Sequence, residues 1–275
     1  IAALADTAPG LEHVRTYRDR STRRPRGRRE AASVLARQWD KAVKYVASAD
    51  RQIGDDPTFD ARADAIAARV RAVQTRADAA AGRWTRGGGP ADRRVLDVLC
   101  VLALQAVSAA VEADTRRLAL LAGIGRETAR TALLRLAEDG WITQTRPADG
   151  PHGAHWTIDP HGLIHTPPTD TRSQAVPRPA GAGAAERTSL LATLTARITD
   201  AAHDLFSLSP GLGHLAGNTY SRTSTDPQQL DDVARCIGAS PAQARWLLDR
   251  LTEAGVLIHD RRGWRRPARD RRTAA

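Results

Sequence analysis

A stretch of 25 residues in this chain recurs, without a gap, 115 positions further on. Residues 118–142 read LALLAGIGRETARTALLRLAEDGWI and residues 233–257 read VARCIGASPAQARWLLDRLTEAGVL. Nine positions are identical: Ala119/Ala234, Gly123/Gly238, Ala129/Ala244, Arg130/Arg245, Leu133/Leu248, Arg135/Arg250, Leu136/Leu251, Glu138/Glu253 and Gly140/Gly255. Whatever the fold, it has to build the same small unit twice. The shared residues say which unit. Ala119 and Ala234 are small where two helices cross closely. Gly123 and Gly238 suit a left-handed turn that ends a short helix without a Cβ penalty. Ser240 and Pro241 form an N-cap with proline at the first helical position; Gly125 stands at the serine's place in the first copy. A longer helix follows, with Ala129, Ala132, Leu133 and Leu136 facing inward in one copy and Ala244, Leu247, Leu248 and Leu251 in the other. Gly140 and Gly255 close these helices.

Each copy leads into a candidate β-hairpin. In the first, residues 141–146 and 154–158 flank a Pro/Gly-rich tip; in the second, residues 256–260 turn at Arg261, Arg262 and Gly263 into 264–266. Helix, glycine turn, longer helix and hairpin together resemble the winged helix-turn-helix family of bacterial regulators and plasmid replication initiators. The resemblance spans roughly residues 91–160 and 187–268, and GRETARTALLRLAEDGWI is especially like the reading helix of GntR-type regulators. It implies that Arg126, Thr128 and Arg130 touch DNA. Outward positions near the start of such a helix enter the major groove. They are Arg126, Glu127, Thr128, Arg130 and Thr131 in the first copy, and Ser240, Gln243, Arg245 and Trp246 in the second. Arginine can grip guanine through two hydrogen bonds, and glutamine can pair with adenine. The wing arginines Arg146, Arg261, Arg262 and Arg265 are placed for phosphate or minor-groove contact. Arg135 and Arg250 lie further along and are expected to brace glutamates such as Glu138 and Glu253.

The expected fold is mainly α: a helical hairpin followed by two winged helix-turn-helix domains with small β wings. Residues 1–30 form an arginine-rich connecting segment, and 15–29 should be extended or loosely ordered. Residues 31–85 form the hairpin, with stripes Val34, Leu35, Trp39, Val43, Val46 and Phe59, Ala63, Ile66, Val70, Val73 around a turn at 54–57. Domains at 91–166 and 187–268 flank a flexible Pro/Gly/Ala linker at 167–186, and 269–275 form a basic tail. The net charge of +10 sits mostly in the arms: eight arginines fall between Arg15 and Arg29 and seven between Arg261 and Arg272, whereas residues 90–170 are slightly acidic. Lysine is represented only by Lys41 and Lys44, a skew that a GC-rich genome, such as an actinobacterial one, writes into any protein. The charge therefore adds to the DNA reading through its placement.

Other chemistry finds little support. His152, His155, His161 and His165 cluster near the first wing, but a loop with surface histidines explains them and no metal is expected. The chain has no phosphate-binding Gly-x4-Gly-Lys-Ser/Thr loop. Tyr220 lacks the Arg/His surroundings of a strand-transfer nucleophile. Cys100 and Cys236 read as small core residues, and no apolar run approaches a membrane span. No cofactor and no enzymatic activity are expected in this segment. The expected partner is double-stranded DNA, with a homodimer or replication proteins as further candidates and no membrane. The expected location is cytoplasmic, on the nucleoid or a plasmid. The start at Ile1 without methionine suggests the DNA-binding part of a larger replication-initiation or mobile-element protein. A free-standing transcriptional regulator and a protein-binding adaptor without DNA affinity stand beside that reading.

Overall fold

The computed structural model describes residues 12–19, 22–48, 58–149, 152–159 and 182–272. It is mainly α, 62% helical, with small antiparallel sheets of two and three strands. The chain divides into two compact units, 1–57 and 58–275. In the first, α1 (Glu12–Arg15) leads into strands β1 (Thr16–Asp19) and β2 (Thr22–Pro25) and then α2 (Arg28–Ser48). Of the arginine run, Thr16–Asp19 and Thr22–Pro25 are extended, as an antiparallel pair in which Tyr17 faces Arg24, whereas Arg15 ends α1 and Arg28 and Arg29 open α2. Arg24 and Arg26 both lie 5.1 Å from the Tyr17 ring, and Glu30 accepts from Arg26. Of the expected apolar stripe on α2, Val34 is buried, but Trp39 and Val43 are exposed. The turn expected at 54–57 lies outside the described residues.

The second unit opens with α3 (Phe59–Ala79), a 3-10 turn (Ala81–Thr85) and α4 (Gly89–Ala106). On α3 the stripe Ala63, Ile66, Val70 and Val73 is buried as the periodicity predicts. The side chains of α4 are buried all round from Gly89 to Leu104, which makes it the central helix. Strand β3 (Ala110–Ala113), α5 (Thr115–Ala122), α6 (Arg126–Glu138), β4 (Ile142–Arg146) and β5 (Ala154–Ile158) follow. The hairpin of β4 and β5 is the one expected. Strand β3, unforeseen, pairs with the other edge of β5, giving the order β3-β5-β4.

The second copy repeats this plan: α7 (Ala182–Ala201), a 3-10 turn (Asp204–Phe206), α8 (His214–Arg222), α9 (Leu230–Ile237), α10 (Pro241–Glu253), β6 (Ile258–Asp260) and β7 (Gly263–Arg265). Where β3 meets Trp156 in the first copy, Gln228 bridges to Trp264 in the second. Helix α8 falls in a stretch, 207–226, that reads as a polar separator. Its buried face carries Gly217, Asn218 and Thr219 beside Ala216 and Tyr220, so no apolar period marks it.

The two copies pack on each other. The expected flexible linker differs from the structure in that residues 182–186 are already helical; 167–181 lie outside the described residues. Helix α7, expected to open an independent domain, places Leu194 in the first copy's core and packs against α3 and α4. Helix α3, expected to complete a hairpin with α2, is its counterpart at the front of the first copy. Between them runs a buried polar cluster. Arg93 donates to Asp97 (3.2 Å) and to Gln74 (2.5 Å), whose Oε1 also accepts from Arg197 of α7 (3.1 Å). Burial opposes the Asp97 carboxylate, yet Arg93, Arg197 and Arg222 together hold its pKa below the usual value.

Besides the packing of α7 on α3 and α4, two sets of contacts between the copies are reciprocal. Arg94 of α4 donates to the His214 carbonyl of α8 (3.1 Å), and Asn218 of α8 donates to the Pro90 carbonyl of α4 (2.9 Å). These are matching positions, and the two side chains also bond each other (Arg94 Nε to Asn218 Oδ1, 2.9 Å). The glycine turns do the same. A Cβ on Gly123 would meet the backbone of Ala202, just past α7, at 2.7 Å; one on Gly238 would strike Ala81 and Gly82, just past α3. Both glycines are left-handed, with φ +60° and +68°, so two constraints coincide. Gly255 shares the positive φ (+74°) but faces open space. Gly255→Ala should therefore cost about 1 kcal/mol of backbone strain, while Gly123→Ala and Gly238→Ala should each cost about 3 kcal/mol or more. Urea unfolding of the three variants checks this; equal losses would contradict a close contact between the copies.

Candidate nucleic-acid interface

Local sequence builds both helix pairs in the same way. Asp114 caps α5 by accepting from the Arg116 amide (3.1 Å), and Gly123 turns the chain into α6. Gly125 offers α6 no side-chain cap, whereas Ser240 caps α10 by accepting from the Gln243 amide (3.2 Å), with Pro241 next. The eight inward positions expected from the repeat are all buried.

The candidate contact residues separate into three groups. Arg126, Glu127, Arg130 and Thr131 are exposed on α6. Arg126 lies 3.5 Å from Glu127, and Thr131 donates to the Glu127 carbonyl (2.8 Å). Arg130 makes no hydrogen bond or ion pair among the described residues. Thr128 is half-buried and turns toward the second copy. On α10, Arg245 is exposed, its guanidinium 5.7 Å from the Trp264 ring. Trp246 is 55% exposed, with Arg250 over it at 4.8 Å. Ser240 is exposed but spends its hydroxyl on the cap, and Gln243 is half-buried. Among the wing residues, Arg146 lies 2.6 Å from His155 Nε2. Arg261 and Arg262 are exposed at the hairpin turn, while Arg265 is half-buried and paired with Asp260 (2.7 Å).

The bracing arginines find other partners than the glutamates expected. Arg135 holds the buried Asp92 carboxylate of α4 through Nε (3.0 Å) and Nη2 (2.5 Å), and that hydrogen bond raises its pKa. Arg250 reaches the Leu212 carbonyl (3.5 Å). Each therefore ties its long helix to the element before the repeat. The arginines after the second hairpin are also partly committed. Arg266 and Arg272 both bind Asp200 at the end of α7, which leaves Arg269 and Arg271 exposed.

Two recesses were not visible in the sequence. One, of about 610 Å³, lies between α6 and the first hairpin, with Arg116, Arg130, Leu134, Gln144 and Trp156 in its walls. A tryptophan in the middle of the second hairpin strand of each copy, Trp156 and Trp264, was the available signal. The other, of about 380 Å³, has Thr128 of α6 and Trp246 and Arg250 of α10 in its walls, above the N-terminal ends of α4 and α8. The two long helices thus border one cleft.

Among the described residues no His/Cys/Asp/Glu group could hold a metal ion, and no helix is long and apolar enough to cross a membrane; His161 and His165 lie outside those residues. Tyr220 is packed against Phe206, with Arg266 and Arg272 over its ring. Cys100 is buried, its thiol pushed up to about 12 by burial and then by Asp97. Cys236, expected in the core, is exposed, because its helix turns that position outward, as it does the matching Leu121. No protein-family model, curated protein or solved structure matches this chain.

His214, at the start of α8 and bordering the cleft, carries a pH signature. Burial, then the Arg94 charge, pushes its pKa from 6.5 down to about 4. The folded imidazole stays neutral where the unfolded one is protonated. Stability from this group is therefore complete above about pH 6.5 and falls as pH drops toward 4, by about 3 kcal/mol in all. Unfolding free energies of the wild type and His214→Gln should diverge in slope across that window; parallel curves would refute the assignment.

Proposed function

We propose that this chain binds double-stranded DNA in a sequence-specific manner through two winged helix-turn-helix copies. The observation that carries the reading is the repeated succession of short helix, left-handed glycine turn, longer helix and hairpin, with an exposed arginine at the same outward position in both copies, Arg130 and Arg245. In this reading α6 and α10 enter the major groove. Arg126, Arg130 and Arg245 contact base edges, with Thr131 beside them. Arg146, Arg261 and Arg262 follow the phosphates. Arg265 neutralises Asp260 and contributes less. The first copy, whose α6 offers more free polar groups, chooses the sequence, and the second adds grip through its basic hairpin turn.

In this reading the chain acts in the cytoplasm, on a nucleoid or plasmid, as a DNA-binding component of replication or of a mobile element. A second reading, a protein-binding adaptor, draws on the exposed Leu120, Leu134, Leu208 and Trp246. Salt-titrated binding to random and genomic duplexes separates the two. DNA binding requires an affinity that falls steeply with salt; no measurable affinity at low salt would sink it. Arg126→Ala with Arg130→Ala should weaken binding to the preferred site by about 10- to 100-fold and relax its sequence. An unchanged affinity and salt slope would remove the first copy from the interface.

A further inference from the structure

The repeat keeps Arg135 and Arg250 at matching places but does not keep what holds them. Arg135 grips the buried Asp92 carboxylate of α4. Residues of α4 and α8 correspond at a separation of 124 positions, as Arg94 and Asn218 do and as Pro90 and His214 do. At that separation Asp92 corresponds to Ala216. The second copy thus has a methyl group where the first has a carboxylate, and Ala216 is buried. Arg250 meets no carboxylate among the described residues. Its one hydrogen bond, to the Leu212 carbonyl, is long at 3.5 Å, so most of its N–H donors lack an acceptor. A half-buried guanidinium without a counter-charge is a poor way to hold a helix, but a ready half of an ion pair.

Arg250 and Ala216 both stand in the walls of the 380 Å³ cleft between α6 and α10, and none of the wall residues is acidic. Other donors there are also unanswered. His214 is only 8% exposed, and its imidazole makes no hydrogen bond among the described residues. The amides of His214, Leu215 and Ala216, the first turn of α8, donate to nothing among those residues, and Gly213 supplies no side-chain cap. Beneath them lies Arg94, a second cation whose partners are all uncharged. The rest of the wall is apolar. Trp246 and Leu208 are 55% and 62% exposed, with Leu212 and Leu247 beside them. The Arg250 guanidinium lies 4.8 Å from the Trp246 ring, so the charge and the aromatic face adjoin.

We propose that this cleft binds a small molecule that carries one carboxylate directly on a flat apolar body. The carboxylate takes on Arg250 the part that Asp92 plays on Arg135, and accepts from the first turn of α8. The body lies along Trp246 and Leu208, opposite Thr128 of α6. The volume falls in the range of small-molecule sites, which are apolar with a few convergent polar groups. A nucleic-acid phosphate fits less well, because one cation set among leucines selects a single charge with an apolar remainder. Thr128 belongs to α6 and Trp246 to α10, so occupancy bears on both long helices.

The test is calorimetric titration of the full chain, without DNA, using 2-naphthoate and its neutral analogue 2-naphthamide. Naphthoate should bind once per chain, and the amide about 10-fold or more weaker, the difference a charge-assisted pair makes. Arg250→Gln should bring naphthoate down to the level of the amide, and Trp246→Ala should weaken both compounds together. Ala216→Asp, which restores the first copy's pair, should also abolish the preference for the acid. Equal affinity for acid and amide, no heat from naphthoate at millimolar concentration, or naphthoate binding unchanged by Arg250→Gln would overturn the site. None of these results bears on the DNA-binding reading, which the salt-titrated duplex measurements decide.

Discussion

The close approach at Gly123 and Gly238 is the constraint on which the architecture of unit 58–275 depends. Each glycine ends a short helix in a left-handed turn, and each turn is pressed against the backbone that follows the other copy's front helix. A side chain at either place would part the copies. With the copies parted, Arg94 would lose its bonds to Asn218 and His214, and a guanidinium buried at 3% exposure would keep only the α5 carbonyls. Packing and polar satisfaction are therefore not separable here. The turn that shapes a helix pair is also the surface that joins two of them.

Much of this was legible from short-range rules. The glycine turns, the Ser240 and Pro241 start, the inward faces of α6 and α10 and the first hairpin all follow from the 3.6-residue period and from φ preferences that single residues impose. What escaped the sequence is what depends on partners far along the chain. Helix α8 was invisible because Asn218 and Thr219 occupy its buried face, satisfied by Pro90 and by the helix's own backbone. Strand β3 is four residues long and gains its place only by pairing with β5. In helix α7, Leu190, Leu191, Leu194 and Ile198 recur at helical spacing, which says that a face is buried and not against what; it is the first copy's core.

The candidate site shows the same division. Exposure of Arg126, Arg130, Arg245, Arg261 and Arg262 followed from helix phase and the hairpin turn. The commitments of other arginines did not. Arg135 to Asp92, Arg265 to Asp260, and Arg266 and Arg272 to Asp200 each need a carboxylate brought near by the fold. Arginine number is thus a poor guide to the charge available for a ligand. A count credits residues 261–272, hairpin and tail together, with seven cations, yet three of them answer acidic groups of the protein itself.

Joining two copies in one chain also changes what their buried contact can contain. In a symmetric dimer of separate chains, the residue on the axis meets its own twin. Two arginines at the position of Arg94 would bring two buried guanidiniums together, a like-charge contact without compensation in a low-dielectric interior. Here the matching position holds Asn218, short and neutral, which accepts from Arg94 through one atom and donates to Pro90 through another. Burial still strains the arrangement, lowering the Arg94 pKa to about 10, but every partner is an uncharged dipole. The cation can stay at the contact because the two halves are free to differ. The same freedom lets α6 and α10 carry unlike outward residues without disturbing the contacts that hold them in register.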